Sequence, residues 1–303
     1  MMDLKTISND FFRIGNIAIL QNQTHADYYD FDFRNYFDCQ SIVSETDAPV
    51  LLHIGAISNY GEIETALSSM GMKLLISEAE HLRCSTIDGW YPVLKEKTSY
   101  TRIYEKLPPF EELQEHFTFP VFIKGNRQSS RHSVSKCIIK DRNAYESLKI
   151  EWENDDILSW QKVAVREYVP LLPVPAEPYP NQVPISYEFR FFCFEGKCMG
   201  CGAYWHTSPQ YVISPDDYSE ALSLAEWAAN RLSASFITVD LAKTKDGRWI
   251  IIEVNDAQES GYAEINPLAL WTSTIYAMQN RTWIPVEEFL PERAVIMGRD
   301  LSL

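Results

Sequence analysis

Asp240, Glu253 and Asn255 lie in two apolar runs, one on either side of Asp246-Gly247. Asp-Gly between apolar runs signals an antiparallel hairpin with a two-residue type I′ turn. With the turn at 246–247, Asp240 falls directly opposite Glu253. Asn255 falls opposite Thr238 and shares a face with Glu253. Directly opposed residues have Cβ atoms about 5 Å apart, and like charges there destabilise the pair. Two readings are open: this end of the hairpin is solvated and the charges are harmless, or a divalent cation lies between them. Asp, Glu and Asn oxygens are hard ligands that suit Mg²⁺ or Mn²⁺, and Mg²⁺ commonly takes one or two carboxylates together with substrate phosphates.

Lys124 and Arg190 are the cations placed to meet an anion. In Phe119-Pro120-Val121-Phe122-Ile123-Lys124, Val121 and Ile123 share one face of a strand while Phe122 and Lys124 share the other. Residues 125–133 then supply Asn, Arg, Gln, Ser and His donors that could close over phosphates or form a plain surface loop. In Glu188-Phe189-Arg190-Phe191-Phe192, Arg190 shares a face with Glu188. It is either a structural ion pair with that carboxylate or a planar fork for a phosphate or carboxylate.

Other chemistries drop out. The chain has no G-x-x-x-x-G-K-[ST], no G-x-S-x-G and no H-E-x-x-H, and Gly200-x-Gly202 is followed by Trp205 where a dinucleotide fingerprint needs a third glycine. Cys198-x-x-Cys201 has no second pair to complete a zinc site and falls on a strand, so its thiols read as packed. The six cysteines of the 303-residue chain are too scattered for a disulfide framework. Its formal charge of −15 argues against nucleic acid and anionic membranes as partners. No apolar run is long enough to cross a bilayer and no signal-peptide core follows Met1, so the chain reads as cytoplasmic.

These residues need an α/β scaffold, and the patterning supplies one. Residues 1–95 read as a small α/β domain: a strand at 17–20, a strand at 49–54, a helix carrying Ile63, Leu67 and Met70 with Ser58 as a possible cap, a strand at 73–77, and a second helix with a Ser77/Glu80 capping box. Strand–helix alternation implies a parallel sheet. Residues 96–303 form the second domain, with a small lobe at about 110–160 and a large lobe at about 161–303. In it we expect strands at 119–124, 134–139 and 162–169, and a helix capped by Asp141. Two further strands meet at Glu195-Gly196, a helix spans about 216–232, and the Asp246-Gly247 hairpin follows. Six prolines between Pro170 and Pro184 mark a stiff loop.

In this order the pieces resemble the ATP-grasp superfamily of ATP-dependent carboxylate–amine ligases, over about residues 95–270, and most closely a divergent bacterial and phage branch. The matching segments are Pro120–Lys124 and its loop, Val165–Val169, Glu188-Phe189-Arg190, Val239-Asp240-Leu241 and Ile252-Glu253-Val254-Asn255. The resemblance implies an ATP-grasp fold of the α/β (α+β) class behind a small N-terminal α/β domain.

It also implies the site. Lys124 would contact the α and β phosphates of ATP, with Ser129 and Ser130 in the loop folding over them. Arg166, Glu167, Tyr168 and Val169 would form the hinge that holds adenine. Arg190 would sit near the γ-phosphate or an acyl phosphate, and Asp240, Glu253 and Asn255 would hold one or two Mg²⁺ ions. Glu177 is the nearest acidic candidate for the ribose, and Lys95, Lys97 and Arg102 are all candidates for a second phosphate contact; Arg127 or Arg131 could also reach phosphate. The segment Asp256–Tyr262, with Trp205 and His206, would line the acceptor end. The implied reaction joins an amino-acid or peptide carboxylate to an amine. Simple phosphotransfer on the same fold and a silent nucleotide-binding protein are the alternatives. The tail from Trp283 to Leu303 could pack on the core or make a homodimer contact.

Overall fold

A computed structural model of the chain describes residues 10–21, 31–42, 48–55, 59–127, 137–175, 183–205 and 211–280. The first sheet has the order β3-β1-β2-β4, with β1 (Asp10–Ile14), β2 (Ile17–Gln21), β3 (Gln40–Ser41) and β4 (Val50–His53). It is mixed. β2 and β4 are parallel, as strand–helix alternation predicts, but β1 folds back antiparallel on β2. The strand expected at 73–77 shrinks to one parallel bridge between Val50 and Leu74. Its end is diverted, because the Ile76 carbonyl accepts from the Tyr60 hydroxyl and Ser77 caps the next helix.

Helix α1 (Tyr60–Ser69) buries Ile63 and Leu67 and starts from Asn59; Ser58 lies outside the described residues. Helix α2 (Glu78–Ser85) carries the full Ser77/Glu80 capping box, so two of its otherwise orphaned backbone donors are satisfied reciprocally. Helix α3 (Ile87–Leu94) follows directly.

The second sheet is antiparallel, in the order β5-β8-β6-β7: β5 (Thr101–Tyr104), β6 (Val121–Gly125), β7 (Ile138–Ile139) and β8 (Val163–Glu167). Helices α4 (Phe110–His116) and α5 (Arg142–Glu153, capped by Asp141) cover one face. Val121, Ile123, Val163 and Val165 pack there with Leu113, Tyr145, Leu148 and Trp152. The alternation of β6 leaves Phe122 and Lys124 on the opposite face.

The third sheet, β10-β9-β11-β12, is also antiparallel: β9 (Glu188–Phe194), β10 (Lys197–Ala203), β11 (Phe236–Lys243) and β12 (Trp249–Asp256). Glu195 and Gly196 both have positive φ, the signature of a type I′ turn, and join β9 to β10. Helix α6 (Pro215–Leu232) covers the face made by Phe189, Phe191, Ile237, Val239 and Leu241. The other face changes character along its length. At one end Phe192, Phe194 and Phe236 pack with Leu270 and Trp271 of α7 (Pro267–Asn280) and with the first sheet in one continuous core. At the other end the same face presents Glu188, Arg190, Asp240 and Glu253. Its apolar half fixes the sheet, and its polar half faces the second sheet.

Cys198 and Cys201 are buried on β10, as their place on a strand predicts. Among the described residues no helix is long and apolar enough to cross a membrane.

Candidate active site

Asp240 is directly opposite Arg190 on β9 and directly opposite Glu253 on β12. Three charges therefore lie in one row across the sheet. The expected Asp240–Glu253 register is observed, but by a different route from the expected turn. The connection is one residue longer: Thr244 exchanges hydrogen bonds with Arg248 around Lys245-Asp246-Gly247, and Gly247 takes a φ of 88°. That shifts the pairing by one, so that Leu241 faces Ile251. A bulge on β12 between Ile251 and Glu253 shifts it back. Bulges are favoured on edge strands and beside active sites, and β12 is both an edge strand and the acidic strand.

The cations complete the row. Arg190 donates from Nε and Nη2 to both Asp240 oxygens, at 2.8 and 2.7 Å, and from Nη1 to the Gly261 carbonyl at 2.9 Å. It is not paired with Glu188, whose carboxylate accepts instead from Ser186 Oγ at 3.0 Å. From the second sheet Lys124 Nζ reaches Glu253 Oε1 at 2.6 Å. Arg166 also crosses between the sheets, donating to the Ile252 carbonyl at 2.8 Å and to Thr98 Oγ1 at 2.7 Å.

Burial and neighbouring charge push these groups apart. Burial raises Asp240, with Arg190 pulling the other way. Glu253 is lowered: burial opposes its charge, but Lys124 beside it prevails. Glu188 is pushed up to about 8, by burial first and then by the charge of Asp240. Burial lowers Arg166 to about 10.

A cavity of about 310 Å³ lies between the two sheets. Lys124, Arg166, Glu188, Glu253 and the segment Glu167-Tyr168-Val169 line it, so it gathers the lysine, one carboxylate and all four expected hinge residues. Asp240 and Arg190 lie behind this wall, and the Arg190 guanidinium stands 5.1 Å from the ring centre of cavity-lining Tyr204. Asn255 pairs with Thr238 in the register expected for it. Lys95, Lys97 and Arg102 do not line the cavity. Arg127 bonds to His81 and Glu259 instead of facing it. Ser129, Ser130, Arg131, Glu177, His206 and the tail lie outside the described residues.

The proline-rich stretch is more ordered than a simple loop. Leu171 bridges Thr244, Pro173 bridges Ser186, and the flanks of the stretch form one wall of the cavity. Sequence reasoning did not select Ser99, Ser186, Tyr204 or Ile252 for the site, and it read Glu188 only as an ion-pair partner. Strand alternation did place Glu188 on the face of Arg190, which was the available signal.

The donor set suits Mg²⁺. Among the described residues no group of three or more His, Cys, Asp and Glu is arranged to hold a metal alone. Two opposed carboxylates and an amide, completed by phosphate oxygens, are the smaller oxygen set that Mg²⁺ accepts. Both carboxylates are now balanced by cations that could transfer to phosphate.

The model of a family described as an ATP-grasp domain, the third family of its clade, matches residues 112–274, more than half of the chain. Among solved structures, the D-alanine–D-alanine ligase from Bacillus anthracis complexed with ATP is similar at a TM-score of 0.52 and 17% identity, over 79% of this chain and 76% of that one. The VanG D-Ala:D-Ser ligase from Enterococcus faecalis is similar at 0.53 and 13%, over 74% and 67%. At these identities the likeness is one of fold. No curated protein matches the chain.

Proposed function

The chain belongs to this family of ATP-grasp domains, and we propose that it is an ATP-dependent ligase that joins an amino-acid or peptide carboxylate to an amine. The observation that carries this reading is the row Arg190–Asp240–Glu253 facing Lys124, beside a cavity walled by Glu167–Val169.

In this reading the backbone of Glu167–Val169 receives adenine between Phe122 and Ile250, and Glu188 accepts from the ribose hydroxyls. Lys124 exchanges Glu253 for the α and β phosphate oxygens. Asp240, Glu253 and Asn255 would hold Mg²⁺, which when bound neutralises phosphate charge. A substrate carboxylate oxygen attacks the γ-phosphorus, the bond to the β-phosphate oxygen breaks, and ADP leaves. The amine then attacks the carbon of the acyl phosphate, loses a proton and expels phosphate. Phosphoryl transfer depends on positioning and charge neutralisation, so it needs no side-chain nucleophile. Arg190 serves both purposes: its bidentate bond to Asp240 fixes its plane, and its bond to Gly261 ties it to the segment after the acidic strand.

The test is turnover of purified protein with Mg²⁺, ATP and pooled amino acids and dipeptides, read by mass spectrometry. ADP with a new amide, both absent from the Asp240→Asn/Glu253→Gln variant, is the expected result. ADP with a phosphorylated product and no amide would replace ligation by phosphotransfer. Failure to bind ATP would overturn the reading.

A further inference from the structure

His81 lies outside the cavity, on α2, yet it joins both sides of the cleft. It is fully buried, and its ring stacks on Tyr60 at 4.2 Å. Nδ1 lies 3.0 Å from Asp256 Oδ2, and Nε2 lies 2.9 Å from Arg127 Nη2. A guanidinium can only donate, so Nε2 is the acceptor and the imidazole proton is on Nδ1, donated to Asp256. His81 is thus the neutral link between a cation on one sheet and an anion on the other.

Both partners occupy strategic positions in the chain. Arg127 comes three residues after Lys124, just past the end of β6, and its guanidinium also lies 3.6 Å from Glu259. Asp256 ends β12, next to Asn255 and three residues after Glu253. The Asp256 end is anchored independently of Arg127. Its backbone N–H donates to Ser85 Oγ of α2, and Gln258 Nε2 donates to the Tyr60 hydroxyl while Gln258 Oε1 accepts from the Leu52 N–H of β4. The α2 end of this link is therefore fixed to the acidic strand, and Arg127 is the element it holds.

We propose that His81 is a positioning residue: by holding Arg127 it sets β6 against β12, and so sets the spacing of Lys124 from Glu253 for the nucleotide. The inference rests on the reading of the cavity as an ATP site. It gives the N-terminal unit, which touches no expected nucleotide contact, a direct part in building the site.

A double-mutant cycle on the affinity for mant-ATP with Mg²⁺, with thermal melting of the same samples, tests it. His81→Phe keeps the stacking on Tyr60 and removes both ring nitrogens; Arg127→Met removes the held group. Each single variant should weaken binding about 5- to 10-fold, and the double variant no further, because both remove one linkage. His81→Gln, whose amide oxygen can accept from Arg127, should recover most of the affinity. If His81→Phe does not fold, Arg127→Met and its combination with His81→Gln give the same comparison. Single effects below twofold, additive losses in the double variant, or a His81→Gln as weak as His81→Phe would overturn the proposal. If the wild-type protein itself fails to bind mant-ATP with Mg²⁺, the ATP reading falls and takes this inference with it. Normal wild-type binding with an additive cycle removes this inference alone.

Discussion

Asp240 faces Glu253 across β11 and β12 through two offsetting departures from regular pairing: a turn one residue longer than Asp-Gly alone requires, and a bulge on β12 that restores the register. The opposed carboxylates are stable in the free protein because Arg190 and Lys124 neutralise one each. That arrangement has measurable consequences.

Arg190 and Asp240 are a buried pair joined at two points, and removing one partner strands the other charge. Asp240→Asn should lower stability by roughly 3–5 kcal/mol, measured by urea unfolding. Replacing both with apolar residues, Arg190→Met with Asp240→Leu, should recover most of that loss while abolishing Mg²⁺-dependent nucleotide binding. Glu253→Gln should cost only about 1 kcal/mol, because the Lys124 pair is partly exposed. A large loss there with none at Asp240 would contradict the assignment of the buried pair.

Metal and nucleotide should bind cooperatively. Without phosphates, Mg²⁺ must displace Lys124 and Arg190 from its donors; with them, both cations have another anion to meet. Mn²⁺ titrations followed by electron paramagnetic resonance should therefore show at least tenfold weaker binding to the free protein than to the protein saturated with a non-hydrolysable ATP analogue. By linkage, metal should raise nucleotide affinity by the same factor.

Glu188 should make the free protein less stable as pH rises. Its folded pKa, about 8, lies above the ordinary value of 4.5, so between those limits the native state holds more protons than the unfolded chain. Its contribution is fully present below the lower value and is lost as pH rises through the higher one. The loss is at most about 1.4 kcal/mol per pH unit. Comparing wild type with Glu188→Gln by denaturant unfolding from pH 5 to 9 isolates this slope, which should be absent from the variant.

The cap of α5 separates stability from site chemistry. Asp141 accepts from the Ala144 N–H at 2.9 Å, far from the cavity. Asp141→Ala should cost about 1 kcal/mol in unfolding experiments and leave nucleotide affinity unchanged.

Much of the site was legible because strand alternation is strict. The faces of Lys124, Arg190 and Asp240 followed from period-two patterning, and the capping residues Ser77 and Asp141 marked two helix starts by their side-chain chemistry. What sequence could not supply was the pairing between distant strands. Nothing local to Glu188-Phe189-Arg190 says that Asp240, fifty residues on, takes the guanidinium while Glu188 turns to Ser186. The turn type was misread for a similar reason. Asp246-Gly247 suits a type I′ turn, but Thr244 Oγ1 bonds Asp246 and also accepts from the Arg248 N–H, and these bonds favour the longer connection. At 73–77, tertiary partners took the backbone groups a strand would have used.

The most direct test is isothermal titration of the wild-type protein and the Asp240→Asn/Glu253→Gln variant with ATP, each with and without Mg²⁺. Binding by the wild type should be saturable and strengthened by Mg²⁺, and the variant should lose that strengthening. Equal binding by both proteins regardless of Mg²⁺, or none by either, would contradict the assignment of Asp240 and Glu253 to a nucleotide–metal site.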